Sequence, residues 1–93
     1  MAVTVYIPTP FRRVTQNRDR VVAEAKSVGE LLASLETSYA GLRDLMRSPE
    51  GEVHRHINIY VNSEAIESLG GLEAPLRDGD EVSIIPALAG GWA

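Results

Sequence analysis

Ser27-Val28-Gly29-Glu30-Leu31-Leu32-Ala33-Ser34-Leu35-Glu36-Thr37-Ser38-Tyr39 is the stretch that decides the fold. Its first four residues match the capping box S-x-x-E, in which the Ser27 hydroxyl and the Glu30 carboxylate satisfy reciprocal orphan N–H groups. Behind the cap, Val28, Leu31, Leu32, Leu35 and Tyr39 recur at i, i+3, i+4, i+7 and i+11, one apolar stripe of an α-helix. Gly41 is expected to interrupt the helix, with Leu42, Leu45 and Met46 adding a further short turn.

The sequence on either side of this helix has the two-residue period of strands. Upstream, Val3, Val5 and Ile7 alternate with Thr4 and Tyr6 until Pro8-Thr9-Pro10 ends the run. The polar stretch Arg12 to Arg20 reads as a loop, and Val21 to Ala25 as a second strand closing a long-looped hairpin. Downstream, Ser48-Pro49-Glu50-Gly51 punctuates the chain, and Ile57, Ile59 and Val61 share one face of a third strand. A short strand is expected around Ala65-Ile66. Gly70-Gly71 and Arg77-Asp78-Gly79-Asp80 read as turns, the latter a hairpin turn, before the last strand Glu81-Val82-Ser83-Ile84-Ile85-Pro86. The order β-β-α-β-β-β gives an α+β class of β-grasp (ubiquitin-like) type, a mixed sheet of four to five strands with one main helix packed on one face. Val3, Val5, Ile7, Ile57, Ile59, Val61, Val82 and Ile84 are the expected sheet side of the core. The expected organisation is one domain over 1–86 and a flexible C-terminal tail over 87–93.

Composition excludes several function classes. A chain of 93 residues that is 44% hydrophobic and 24% charged can bury one core. A net charge of −4 disfavours nucleic acid as a partner. Four arginines (Arg12, Arg13, Arg18 and Arg20) nevertheless share one stretch with the single acid Asp19, either a solvated loop or a docking patch for an acidic partner. Without cysteine there is no thiolate nucleophile, thiolate metal site or disulfide. No segment approaches the ~20 apolar residues of a membrane span. Met1-Ala2-Val3-Thr4-Val5 lacks the basic and apolar regions of a signal peptide, so the expected compartment is the cytoplasm.

Few side chains offer chemistry. His54 and His56 would face one side of a strand, and without a third ligand nearby they read as a surface pair rather than a metal site. Asp78, Asp80 and Glu81 are too close together for a calcium loop, which spreads its ligands over about 12 residues. No nucleophile-elbow context surrounds any serine. No catalytic residue, no bound metal and no cofactor of the chain's own are expected. There remains Ala87-Leu88-Ala89-Gly90-Gly91-Trp92-Ala93. By its neighbours alone the second diglycine reads as a frayed end. Alternatively, two residues without Cβ let an extended chain thread a narrow channel and lay a glycine carboxylate against ATP.

Leu76-Arg77-Asp78-Gly79-Asp80-Glu81-Val82-Ser83-Ile84-Ile85-Pro86-Ala87-Leu88-Ala89-Gly90-Gly91 resembles the C-terminus of the ThiS/MoaD family of ubiquitin-like sulfur carriers, with turn, strand, proline, apolar tail and diglycine in register. Over nearly its full length the chain is most similar to the actinobacterial members that feed cysteine biosynthesis. Val3-Thr4-Val5, Leu35-Glu36 with Tyr39 and Gly41, Asn58-Ile59-Tyr60-Val61-Asn62 and Leu69-Gly70-Gly71-Leu72 carry that likeness. The resemblance implies a protein substrate rather than an enzyme. Ala87, Leu88, Ala89 and Gly90 would thread into an E1-like adenylating enzyme that uses ATP and magnesium. Gly91 would be adenylated and converted to a thiocarboxylate. The sulfur would then pass to an acceptor such as a pyridoxal-phosphate-dependent cysteine synthase. The chain departs from the pattern at Trp92-Ala93, which locks the Gly91 carboxylate in an amide. Some family members carry a short extension removed by a JAMM-type zinc metalloprotease, so hydrolysis of Gly91–Trp92 is expected before activation. Carriers for molybdopterin, thiamine or a secondary metabolite, and protein modifiers, share the same tail chemistry and stay open as alternatives.

Overall fold

Residues 2–86 are described by a computed structural model. Five strands, β1 (Ala2–Tyr6), β2 (Arg20–Glu24), β3 (Ile57–Val61), β4 (Glu64–Ala65) and β5 (Glu81–Pro86), form one sheet in the order β2-β1-β5-β3-β4. β1 pairs antiparallel with β2 and parallel with β5, while β3 pairs antiparallel with both β5 and β4. The last strand therefore lies at the centre of the sheet, and β2 and β4 form its edges. This mixed sheet, covered on one face by a helix that follows the first hairpin, is the β-grasp arrangement.

α1 (Val28–Ser38) begins where the capping box places it. The Ser27 hydroxyl accepts the Glu30 N–H at 3.2 Å. The return contact differs from the expected box: the Glu30 carboxylate accepts from the Lys26 N–H, at 3.4 Å, one residue upstream of the cap. Val28, Leu31, Leu32 and Leu35 are buried against Val3, Val5, Ile7, Ile57, Ile59, Val61, Val82 and Ile84, the eight sheet residues expected from alternation. Each fully buried aliphatic side chain contributes about 1.5–3 kcal/mol, which makes this helix–sheet contact the main stabilising layer.

The helix stops two residues before the expected glycine. Tyr39 leaves helical geometry (φ −131°, ψ 89°), closes α1 through its N–H to the Leu35 carbonyl and precedes α2 (Ala40–Met46). Gly41 lies inside α2, where its missing side chain serves packing: a Cβ there would stand 2.8 Å from Val14 Cγ1. Val14 belongs to a 3-10 helix over Thr9–Val14, in a stretch expected to be loop. Phe11 buries into the core from that turn, and the buried Thr15 hydroxyl bonds the carbonyls of Arg12 and Arg18. The apolar side chains, hidden among arginines, are what make it structured.

Three smaller expectations also change. β4 is only two residues long, and Ile66 opens a 3-10 turn instead of continuing the strand. Gly79 takes φ +89° as a turn glycine should, but the 77–80 turn closes no hairpin. It feeds β5 between β1 and β3. His54 and His56 precede β3 and do not lie on it; their rings stack with centroids 5.0 Å apart. Gly70 and Gly71, at φ +111° and +68°, are the permissive turn expected of them.

Candidate functional site

Because β5 is central, its end at Pro86 lies in the middle of the sheet. Pro86 pairs with Ile57 at the start of β3 and is fully buried. Proline, which has no N–H to give to a ladder, stands here at the last described residue of β5. Gly91, the tail residues Ala87, Leu88, Ala89 and Gly90, and the Gly91–Trp92 bond all lie outside the described residues. The described part of the site is thus the exit around Pro86.

Beside that exit is a groove of about 370 Å³ between the end of β1, the Thr9–Val14 turn and the end of β5. Tyr6, Pro8, Pro10, Arg12, Ile85 and Pro86 are among its lining residues. Arg12 is held over it by a bond from its Nε to the Ile7 carbonyl, at 3.2 Å. Along β5 the core alternation turns Val82 and Ile84 inward and Ser83 and Ile85 outward. The register places Ser83 between Tyr6 of β1 and Tyr60 of β3 on the uncovered sheet face. Ile85 lies one step closer to the exit and is 43% exposed. Two tyrosines, an exposed isoleucine and a groove therefore flank the C-terminal half of β5. Sequence reading missed this surface, although an isoleucine in the outward register of β5 was a visible signal for it.

The charged candidates separate by end of the sheet. Arg12, Arg13 and Arg18 in the connection between β1 and β2, and Arg20 at the start of β2, lie at the same end as Pro86, and so do His54 and His56 ahead of β3. Asp78, Asp80 and Glu81 sit at the opposite end, where Glu81 pairs with Thr4. There they brace the fold. Asp78 Oδ1 accepts the Ala2 N–H at 2.9 Å, and Asp80 accepts from the Arg77 N–H at 2.8 Å and from Asn62 Nδ2 at 2.9 Å. The Arg77 N–H first, then the Asn62 amide and the Arg77 charge, hold the Asp80 carboxyl below its ordinary value. Among the described residues no group of three or more His, Asp or Glu side chains gathers as metal ligands. No helix of the described residues is long and apolar enough to cross a membrane.

A β-grasp domain with its last strand central and ending beside an uncovered sheet face defines a ubiquitin-like protein. The chain belongs to the ThiS family, whose profile matches residues 5–91. It is 42% identical to the sulfur carrier protein CysO of Mycobacterium tuberculosis over 93 residues, covering 98% of this chain and 100% of that one. It superposes on a chain of the Amycolatopsis orientalis BexX/CysO complex with a TM-score of 0.86 at 43% identity, covering 96% of this chain and 99% of that one. It is also 40% identical over 70 residues to small archaeal modifier protein 3 of Haloferax volcanii, 75% of each chain.

Proposed function

We propose that this chain is a sulfur carrier whose folded part, residues 1–86, presents the tail 87–93 to partner enzymes. The observation that carries the reading is the family match running through the diglycine and ending on Gly91. The near full-length similarity to CysO supports an amino-acid, cysteine-forming branch. The groove and uncovered sheet face beside Pro86 suit a partner that grips the domain while drawing in Ala87, Leu88, Ala89 and Gly90.

The chemistry follows from the tail. Hydrolysis of Gly91–Trp92 by a JAMM-type zinc metalloprotease adds water across the amide, releases Trp92-Ala93 and leaves a glycine carboxylate. An E1-like enzyme with ATP and magnesium forms the Gly91 acyl adenylate and releases pyrophosphate. Sulfide equivalents supplied by a sulfur donor then displace AMP, giving the thiocarboxylate. Glycine suits this position because it puts no Cβ beside the attacked carbonyl. The thiocarboxylate sulfur would bond to Cβ of an activated serine while the C–O bond to the activating group breaks and that group leaves; a pyridoxal-phosphate acceptor enzyme, not this chain, would supply that catalysis. Secondary-metabolite, molybdopterin and thiamine acceptors would use the same carrier chemistry.

Intact mass spectrometry tests the sequence of steps. With protease, activating enzyme, ATP and a sulfur source, the mass should fall by Trp92-Ala93 and then rise by the replacement of one oxygen by sulfur. Thiolation with Trp92 still attached refutes the processing step. No change with partners that are active on another carrier refutes the function. The similarity to a small archaeal modifier protein favours one second reading, conjugation to lysines. Isopeptide-linked targets in place of thiocarboxylate would select it.

A further inference from the structure

The outer edge of β2 is complementary to itself. β2 has no neighbour on the side away from β1. Ile7 donates to the Asp19 carbonyl at 2.8 Å, and the β1–β2 register pairs Val5 with Val21 and Val3 with Ala23. Residues 19, 21 and 23 therefore turn their backbone groups toward β1, because hydrogen-bonded pairs alternate along an antiparallel ladder. Arg20, Val22 and Glu24 turn theirs outward, and no other described strand meets them. The same three residues share the uncovered sheet face, and Val22 is 69% exposed, the most exposed large hydrophobic residue among those described.

We propose that this edge pairs antiparallel with β2 of a second copy of the chain about a two-fold axis through Val22. In that register Val22 meets Val22 of the second copy, and Arg20 of each copy meets Glu24 of the other. Each of the three facing pairs exchanges both backbone bonds, six in all by the ladder pattern. The side chains agree with the backbone: an apolar pair at the axis is flanked by two opposite-charge pairs. On the helix side Val21 meets Ala23, two half-buried residues of modest size. The resulting sheet is continuous across both copies and removes two exposed edges that would otherwise invite unspecific pairing. Because the axis reverses strand direction, the two Pro86 residues lie at opposite ends of the joined sheet. The contact is smaller than the ~1,000 Å² of a stable interface, so association is weak and concentration-dependent.

Sedimentation equilibrium of the full chain from about 10 μM to 1 mM measures the dimer, at concentrations where a weak interface populates. Arg20→Glu sets like charges at both flanking pairs, as does Glu24→Arg, and each should raise the dissociation constant about tenfold or more. The double exchange Arg20→Glu/Glu24→Arg restores opposite charges and should return it to near the parent value. An equimolar mixture of the two single variants should associate more tightly than either alone. Both positions of substitution are exposed, and unchanged urea midpoints confirm that each variant is folded. In parallel, concentration-dependent amide shifts should centre on Arg20, Val22 and Glu24. A chain that stays monomeric over this range overturns the proposal. So does a dimer indifferent to the single reversals, or amide shifts centred elsewhere.

Discussion

Gly41→Ala is the sharpest test of how α2 seats the Thr9–Val14 turn. In most helices this exchange stabilises by about 0.5–1 kcal/mol, because alanine loses less backbone entropy. Here the new Cβ would lie 2.8 Å from Val14 Cγ1 and 3.2 Å from Val14 Cβ. The first distance is roughly 1 Å inside an ordinary carbon–carbon contact. Rotating Val14 about χ1 moves Cγ1 but leaves Cβ in place, so the turn itself must retreat from α2. Overpacking of this kind costs about 1–3 kcal/mol, and the clash outweighs the helix gain by about 1 kcal/mol. In a domain of this size that lowers Tm by about 4–8 °C. Urea and thermal melts of Gly41→Ala, Val14→Ala and the double variant provide the cycle. Val14→Ala removes the nearer obstacle, so the double variant should recover about 1 kcal/mol relative to the sum of the singles. The same turn carries Thr9, Pro10 and Arg12 into the groove beside Pro86, so on the proposed function Gly41→Ala should also slow activation by an E1-like enzyme. A Gly41→Ala protein at or above the parent Tm, or a cycle with no coupling, refutes the reasoning.

Other predictions rest on single contacts. Ser27→Ala removes the bond to the Glu30 N–H and should destabilise by about 1 kcal/mol in urea melts, whereas Ser27→Asp should retain most of the stability. Leu32→Ala opens space between α1 and the sheet and should cost about 2–4 kcal/mol, read from the denaturation midpoint. The Asp80 carboxyl is held below its ordinary value of 3.8, so its contribution is fully present above about pH 4 and is lost as pH falls through the lower folded value. Urea midpoints of the parent and Asp80→Asn should therefore differ above that pH and converge in acid. A constant gap down to strongly acidic pH would contradict the assignment.

The helix and the sheet core were legible because both follow a period. Val28, Leu31, Leu32 and Leu35 repeat as a helix face, and Val82 and Ile84 as a strand face, so burial could be read directly from spacing. Strand order is a different kind of information. Thr4 meets Glu81 through a parallel pairing that no local pattern encodes, and the 77–80 turn looked like a hairpin because turn chemistry fixes direction change and not the neighbour. The Thr9–Val14 turn was obscured for a compositional reason. Phe11 and Thr15 are buried there, but only two of the flanking positions suggest it and the arginines dominate the reading. For the site, the tail motif was legible as chemistry, while the surface beside it arises only when β5 is placed between Tyr6 and Tyr60.

The central, parallel placement of β5 beside β1 also governs how the domain answers to force. β1 begins at one end of the sheet and β5 finishes at the other, with Ala2 and Pro86 marking the two ends. Tension applied beyond Pro86 runs along β5, across hydrogen bonds to two strands at once. Those bonds are loaded in shear and must yield together, whereas an edge strand peeled from its neighbour would release them one at a time. A pull applied at Pro86 is therefore met as by an anchored cable, and the domain would hold its shape under the draw of the proposed activating partner.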